Sequence, residues 1–424
     1  MLDFKQSGLY NEDKLKKAVE NGLKLIYPIA SEERTLKIDS VDFGQSELDP
    51  NRWKDIKDAI VNKKSITIPV NAKFTLTNNE SGDKISTHKI NIADLPIATK
   101  MGTYVVKGNQ YNMPVQMRLK SGAYGRISDK GEAEIFNNID NSSPIRTQID
   151  TQKEIVNLKI GQGRVPIYPV LKVLGMDDNK IRSALGDNIF NANAAVKYDN
   201  SIKKTYKAIF NKNMEAAEDG EQEIRDHFGS LTTNPNVNKR TLGKKYDTIS
   251  ADYLLDTAKK VIGITKGTEP VDNRDALIYK DVFGVEDIIE DSLKVFGESY
   301  ASKAKTLYNM KKKDAIGQIV DKRGLQKQIE GLFTTSKLSR FATQSNPIAM
   351  RNAPFMTTLL GDGGIRGVRM VSKDAKVLQN SHMGFIDATH TPQSSSAGIT
   401  LSLARNVKKE GRELKTKVIN LITN

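Results

Sequence analysis

Apolar residues recur three or four positions apart in several parts of the chain, which predicts amphipathic helices. We expect such helices over residues 11–26, 250–264 and, with an interruption, 285–333. Asn11 suits the start of the first helix, because its side chain can accept a hydrogen bond from a free backbone N–H group. A shorter apolar helix is predicted within 164–175, where Gly175 would end it.

Elsewhere the apolar and polar residues alternate, which predicts strands. We expect strands at 36–43, 66–77 and 84–92, with a hairpin turn at 78–83, and a strand pair with turns at glycines within 95–108. Helices and strands thus share a chain of 424 residues, which is long enough for two or three domains. The predicted fold class is α+β and multidomain.

The stretch 338–403 shows neither pattern. Asn346 and Pro347 indicate a turn or the start of a helix, because the residue before proline is pushed away from helical angles. Residues 361–364 (Gly-Asp-Gly-Gly) predict a tight loop to which another molecule can come close, and Arg366 and Arg369 follow it. On composition alone, a flexible surface loop is the simpler interpretation, although long irregular segments are often functional.

The net charge of the chain indicates what kind of partner it binds. Sixty-five Lys and Arg against 51 Asp and Glu give a formal charge of +14, which suggests a polyanion partner such as nucleic acid. Anionic lipid and acidic protein surfaces fit the same charge. The chain has no cysteine, which excludes disulfides and thiolate metal sites and fits a reducing cytosol. No apolar run reaches the length of a membrane span, and the first ten residues lack the apolar core of a signal peptide.

The order of motifs within 338–403 gives the most specific signal. Residues 338–348 follow the pattern Leu-Ser-x-Phe-x-x-Gln-Thr-Asn-Pro-Leu, and 360–365 follow Leu-Gly-Pro-Gly-Gly-Leu at the same spacing. Residues 381–398 follow Ser-His-Tyr-Gly-Arg running into Glu-Thr-Pro-Glu-Gly-Pro-Asn-Ile-Gly. The stretch therefore resembles the fork region of the β subunit of multi-subunit DNA-directed RNA polymerases.

A second stretch, 95–108, resembles the β-subunit segment Ile-Pro-Leu-Met-Thr-x-x-Gly-Thr-Phe-Ile-Ile-Asn-Gly. The resemblance spans most of the chain but only the first half of a usual β subunit. It implies these domains: a protrusion at 1–125, a lobe at 126–285, a second, helical part of the protrusion at 286–337, the fork at 338–404 and a basic C-terminal docking segment at 405–424.

The resemblance also implies where nucleic acid would be contacted. Arg366 and Arg369 would lie beside downstream DNA where its strands separate, and Arg369 is the residue we favour most. Gln344, Asn346 and Gln116 would be neutral donors near the backbone of the RNA–DNA hybrid. The remaining basic candidates are Arg118 and Lys120. For each of these side chains a solvated surface position is the alternative.

By the same resemblance, the chain would be one subunit of a split DNA-dependent RNA polymerase, similar to those of large tailed bacteriophages. Catalytic residues and metal ligands are not expected on it, because the magnesium-binding Asp-Phe-Asp-Gly-Asp motif of the β′ subunit does not occur here. Mg²⁺ is expected in the assembled enzyme on another chain. The expected partners are a C-terminal β-like chain, β′-like chains, in some forms a promoter-specificity subunit, template DNA and the RNA–DNA hybrid, with no membrane.

The expected location is the host cytoplasm, a phage compartment within it, or the virion. An alternative from another class is a non-catalytic nucleic-acid-binding or virion structural protein that retains a polymerase-like fold. Retention of both fork blocks at their family spacing argues against that alternative, because packing alone does not require it.

Overall fold

The computed structural model describes residues 4–128, 130–140, 142–216, 219–299, 316–342, 346–390, 392 and 394–416. Over these residues the helices are α1 (Glu12–Ile26), α2 (Trp53–Val61), α3 (Ile167–Val173), α4 (Asp178–Leu185), α5 (Asp187–Ala194), α6 (Tyr198–Phe210), α7 (Gly220–Ser230), α8 (Pro235–Thr241), α9 (Ala251–Thr265), α10 (Val285–Ser299), α11 (Ile316–Ile319), α12 (Lys322–Thr334) and α13 (Pro347–Asn352).

The strands are β1 (Pro28–Ala30), β2 (Arg34–Phe43), β3 (Thr67–Asn78), β4 (Lys84–Pro96), β5 (Thr103–Val106), β6 (Asn109–Asn112), β7 (Val115–Leu119), β8 (Gly122–Ile127), β9 (Ala133–Asn138), β10 (Ile145–Asp150), β11 (Ile155–Ile160), β12 (Gly163–Pro166), β13 (Lys280–Phe283), β14 (Arg340–Phe341), β15 (Met356–Thr358), β16 (Ile386–Asp387), β17 (Thr400–Leu403), β18 (Lys408–Glu410) and β19 (Glu413–Lys415). The predicted α+β class is confirmed.

The chain divides into two compact units. The first combines Met1–Arg118 with Lys280–Asn424, and the second is the continuous segment Leu119–Tyr279. The predicted lobe at 126–285 overlaps most of the second unit. The assignment of the protrusion, lobe and fork to particular residues stays a prediction.

In the first unit, α1 begins where the sequence predicts. The Asn11 side chain accepts a hydrogen bond from the backbone N–H of Lys14 over 3.0 Å. The helix buries Leu15, Val19 and Leu23 and packs against α10. The two helices come close at Gly22, where an added Cβ atom would lie only 2.7 Å from Cδ1 of Leu293.

Antiparallel strands β1 to β4 form one sheet in chain order, and β3 and β4 make the predicted hairpin. Alternate side chains of β3, among them Ile68, Val70 and Phe74, are buried because successive residues of a strand point to opposite faces. Strands β5 and β6 form the predicted pair, with the chain turning at Gly108, whose φ is +81°.

A second sheet of the first unit collects strands from distant parts of the sequence, in the order β13-β7-β15-β17-β16. Strand β7 pairs in parallel with β15, so that Gln116 lies opposite Thr358. Strand β15 in turn pairs antiparallel with β17. The stretch 338–403 is therefore held by strands at several points and is not simply a surface loop.

The hairpin of β18 and β19 is fastened to the start of α10. Lys409 is almost completely buried, and its Nζ atom lies 2.7 Å from Oε1 of Glu286 and 3.0 Å from Oδ2 of Asp287. A buried ammonium group needs such partners, because it has lost its hydration. The described part of the predicted docking segment thus contacts its own unit, and residues 417–424 lie outside the described residues.

The second unit is a five-stranded antiparallel sheet, in the order β12-β11-β10-β9-β8, packed with helices α3 to α9. Helix α9 contributes most to its core, and the buried Tyr253 hydroxyl donates to Oδ1 of Asn137 over 2.9 Å. Helix α3 is the predicted apolar helix, and Gly175 follows its end with φ +84°. Among the helices of the described residues, none has both the length and the hydrophobicity required to cross a bilayer.

The close contact at Gly22 predicts that alanine destabilises this helix, although alanine normally favours a helix more than glycine does. Replacing Gly by Ala at an exposed helix position raises the free energy of unfolding by up to about 1 kcal/mol, but overpacking a tight contact lowers it by roughly 1–3 kcal/mol. We expect Gly22→Ala to lower the urea midpoint of unfolding. Gly331→Ala in α12 is the control, because only Thr335 Oγ1, at 3.5 Å, lies near its added Cβ. A Gly22→Ala protein at least as stable as Gly331→Ala would contradict the packing argument.

Candidate nucleic-acid interface

Gln116 and Arg118 occupy alternate positions of β7, which places both side chains on one face of the strand. Gln116 is completely buried. Its Nε2 donates to the carbonyl oxygen of Leu360 over 3.0 Å, and its Oε1 accepts from Nε of Arg118 over 2.7 Å. Every polar atom of this buried amide thus faces a partner within the chain.

These two side chains hold the glycine loop, residues 361–364. Gly361 and Gly363 have φ values of +119° and +78°, which residues with a Cβ atom rarely adopt. An added Cβ on Gly364 would lie 2.6 Å from Nε2 of Gln116, and one on Gly363 would overlap the Arg118 guanidinium. The sequence analysis predicted that another molecule can come close to this backbone. In the structure, the groups that lie close to it are the side chains of Gln116 and Arg118 from the same chain.

The Arg118 guanidinium has several partners within the chain. Its Nη2 donates to the Asp362 carbonyl oxygen over 3.1 Å, and its Nη1 forms an ion pair with Asp291 of α10. The guanidinium also lies 3.9 Å from the centroid of the Phe283 ring, and Arg412 lies 4.4 Å from the same centroid. Arg118 therefore links the glycine loop to α10 and β13. Its predicted contact with nucleic acid is untested.

The basic loop, residues 366–376, follows directly. Arg366 and Arg369 are exposed, and neither forms an ion pair with the described residues. The Arg366 carbonyl oxygen accepts a hydrogen bond from Lys337 Nζ over 2.8 Å, which fixes the backbone and leaves the guanidinium in solvent. Lys373 and Lys376 are exposed in the same loop. The sequence analysis did not name these two lysines as candidate contacts for nucleic acid, although both follow Arg369 closely in the sequence.

Two other predicted contacts have local roles in the structure. The Asn346 side chain caps α13, with Oδ1 accepting from the backbone N–H of Ile348 over 2.9 Å. Lys120 lies in the second unit, where its backbone N–H donates to the Tyr279 carbonyl oxygen over 2.8 Å. Gln344 lies outside the described residues. The predicted contacts of these three residues with nucleic acid stay predictions.

One group of residues escaped the sequence analysis altogether. Arg340, at the variable position of the first fork block, donates from Nη2 to Thr400 Oγ1 over 2.7 Å. Its side chain lines a cavity together with Asn112 and Phe341. Sixty residues separate Arg340 from Thr400, so no local pattern could have shown this contact.

The described residues contain no group of three or more His, Cys, Asp or Glu side chains arranged to hold a metal ion. Two carboxylates near the glycine loop form ion pairs. Asp291 pairs with Arg118, while Asp287 pairs with Lys409 and Arg412. This surface therefore presents the cations of the basic loop directly after the glycine loop that Gln116 and Arg118 hold.

Comparison with known proteins finds distant relatives of the sequence. No family model matches the chain. It is 22% identical to the DNA-directed RNA polymerase subunit beta of Prochlorococcus marinus over 364 residues, which cover 78% of this chain and 33% of that protein. It is 23% identical to the same subunit of Synechocystis sp., over 80% of this chain and 33% of that protein. It is 21% identical to the subunit of Thermus thermophilus, over 79% of this chain and 32% of that protein.

These matches support a β-like RNA polymerase region, as the resemblance implied. The chain spans about a third of the length of the curated relatives it matches, less than the half that we expected. Its similarity to β subunits therefore concerns one part of a larger protein. The split form and the phage origin stay predictions.

The geometry of the glycine loop predicts sharply different effects at two nearby glycines. Gly363→Ala should lower the unfolding free energy by more than about 1–2 kcal/mol, because it adds left-handed strain and displaces Arg118. Gly367→Ala is the matched control, since its φ is −157° and no atom lies within 4 Å of its added Cβ. Urea unfolding of the two variants makes the comparison, and equal losses would show that Arg118 does not hold the loop.

Proposed function

We propose that this chain is the N-terminal β-like subunit of a split multi-subunit DNA-dependent RNA polymerase. In this role it walls one side of the channel for the DNA and the RNA–DNA hybrid and contributes the fork loop. The observation that carries the proposal is the pair of exposed arginines, Arg366 and Arg369, which form no ion pair among the described residues and directly follow the glycine loop held by Gln116 and Arg118. The similarity to β subunits supports it.

The basic loop suits contact with phosphates. A guanidinium group without an internal carboxylate partner can exchange its hydration and counterions for a phosphate, which is the main source of affinity for nucleic acid. Such contacts position the duplex without reading its sequence. Because the backbone just before the basic loop is held within the chain, less backbone entropy is lost when the cations engage DNA, and the main entropic cost is the loss of arginine and lysine side-chain freedom.

In this proposal, nucleotide addition takes place elsewhere in the assembly. Mg²⁺, held by a β′-like chain, would supply two-metal phosphoryl transfer. The residues of this chain would position DNA and the hybrid. The proposed partners are a C-terminal β-like chain, β′-like chains, in some forms a specificity subunit, and the nucleic acids themselves.

Arg369→Ala tests the role of the basic loop. In the purified chain, loss of one phosphate contact should reduce the slope of log affinity against log salt for a forked DNA by about 0.9. In the assembled enzyme it should also lower the elongation rate. Arg323→Ala is the control, because Arg323 is an exposed arginine on α12 of the same unit.

Loss of salt-dependent affinity with a normal elongation rate would favour the alternative, a non-catalytic nucleic-acid-binding or virion structural protein. No change in either quantity, relative to Arg323→Ala, would remove Arg369 from the interface.

Mass spectrometry of proteins that co-purify with the native chain at high salt tests the split form. We expect a chain with the Asp-Phe-Asp-Gly-Asp motif and a chain similar to the remainder of β, in amounts equal to this one. Purification of the chain alone, or only with coat proteins, would contradict the polymerase assignment.

A further inference from the structure

The hairpin of β18 and β19 is held at the start of α10 by more than the Lys409 ion pairs. Arg412 lies in the turn between the two strands, and its carbonyl oxygen accepts a hydrogen bond from the backbone N–H of Val282 over 2.8 Å. The N-terminal segment passes against β18, where an added Cβ on Gly8 would overlap the Lys409 carbonyl oxygen. The backbone of the hairpin therefore fixes the point from which the Arg412 side chain extends.

Arg412 shares its surroundings with Arg118. The Nε atom of Arg412 lies 3.4 Å from Oδ1 of Asp287, and its guanidinium carbon lies 4.4 Å from the centroid of the Phe283 ring. The guanidinium carbon of Arg118 lies 3.9 Å from the same centroid, and its Nη1 pairs with Asp291, one helical turn beyond Asp287. Only 7% of Phe283 is exposed, so the two cations and the ring form one packed group.

An acidic row on α10 faces these cations. Its four carboxylates are spaced so that they lie on one side of the helix, and they belong to Glu286, Asp287, Glu290 and Asp291. Burial and the neighbouring charge of Asp291 raise the pKa of Glu290, whereas the charge of Arg412 acts in the opposite direction. The nearby cations therefore offset the repulsion between the carboxylates of the row.

Arg118 links the acidic row to the glycine loop. Its Nη2 donates to the Asp362 carbonyl oxygen over 3.1 Å, and within the loop the Gly364 N–H donates to the Gly361 carbonyl oxygen over 3.0 Å. A guanidinium binds a carboxylate more strongly than a neutral carbonyl oxygen, because both partners of the ion pair are charged. Without Arg412 the row would have one cation fewer, and it would draw Arg118 away from the loop.

We propose that Arg412 and Phe283 are positioning residues for the basic loop. Arg412 neutralises part of the acidic row and Phe283 holds both guanidinium groups, so that Arg118 stays on the glycine loop and the basic loop starts from a fixed backbone. Neither residue is a proposed contact for nucleic acid. The effect on DNA binding rests on the proposed function, whereas the hold on the glycine loop can be measured in the chain alone.

Hydrogen exchange in the purified full chain tests the hold on the glycine loop. Arg412→Ala should speed the exchange of the backbone amides of residues 359–365 at least about fivefold, because local opening sets their exchange rate. Lys415→Ala is the matched control, since it removes an exposed cation from the same hairpin whose partner, Glu410, is equally exposed. In both variants the amides of α1 should exchange as they do in the natural chain.

Phe283→Leu is a second variant, which leaves the net charge unchanged. It keeps an apolar side chain but removes the ring over which the guanidinium groups lie, so it should loosen the glycine loop in the same way. On forked DNA, Arg412→Ala and Phe283→Leu should each weaken affinity at least about threefold without changing the slope of log affinity against log salt, because no phosphate contact is removed. Arg369→Ala should instead reduce that slope.

Unchanged exchange at residues 359–365 in either variant would overturn the proposal. Faster exchange throughout the first unit, α1 included, would also overturn it, because it would reflect a general loss of stability. A reduced salt slope for Arg412→Ala would make Arg412 itself a phosphate contact, and DNA affinity equal to that of Lys415→Ala in both variants would remove the positioning role.

Failure of the proposed function gives a different result. A natural chain that does not bind forked DNA would contradict the proposed role of the basic loop. The exchange measurement would still decide whether Arg412 and Phe283 hold the glycine loop, because it requires neither DNA nor an assembled polymerase.

Discussion

The hydrogen bond from the buried Gln116 side chain to the Leu360 carbonyl is the constraint on which the candidate interface depends. It joins strand β7 to the start of the glycine loop across 244 residues of sequence. Loss of the Gln116 amide would leave the Leu360 carbonyl without this donor, at a cost of about 1–3 kcal/mol. Arg118 extends the same contact to α10, Phe283 and the carbonyl of Asp362. The basic loop consequently begins from a fixed point.

Two groups of cations in the first unit differ in their surroundings. Arg118 and Lys409 are satisfied by carboxylates and aromatic rings, and they stabilise the unit. Arg366 and Arg369 stand in solvent without ion pairs among the described residues. The formal charge of +14 counts both kinds alike. Only the three-dimensional arrangement shows which positive charges are available to a phosphate.

The accuracy of the sequence-based predictions follows the range of the interactions involved. The start of α1 at Asn11 and the hairpin of β3 and β4 depend on neighbours a few residues away, and both were predicted. The glycine loop was recognised, but the identity of what approaches it was not, because Gln116 is distant in sequence. Arg340 was overlooked because its cavity is assembled from β6, β14 and α13.

The division of the first unit into two sequence segments has a consequence for folding during synthesis. The second unit is continuous and can fold as soon as it has been made, whereas the first cannot pair β7 with β15 until residues 356–358 exist. At the usual 5–20 residues per second, Gln116 waits roughly 10–50 s for Leu360. During that interval the edge of β7 that pairs with β15 lacks its hydrogen-bond partners. Unpaired strand edges favour aggregation, so translation speed sets how long the nascent chain carries this edge.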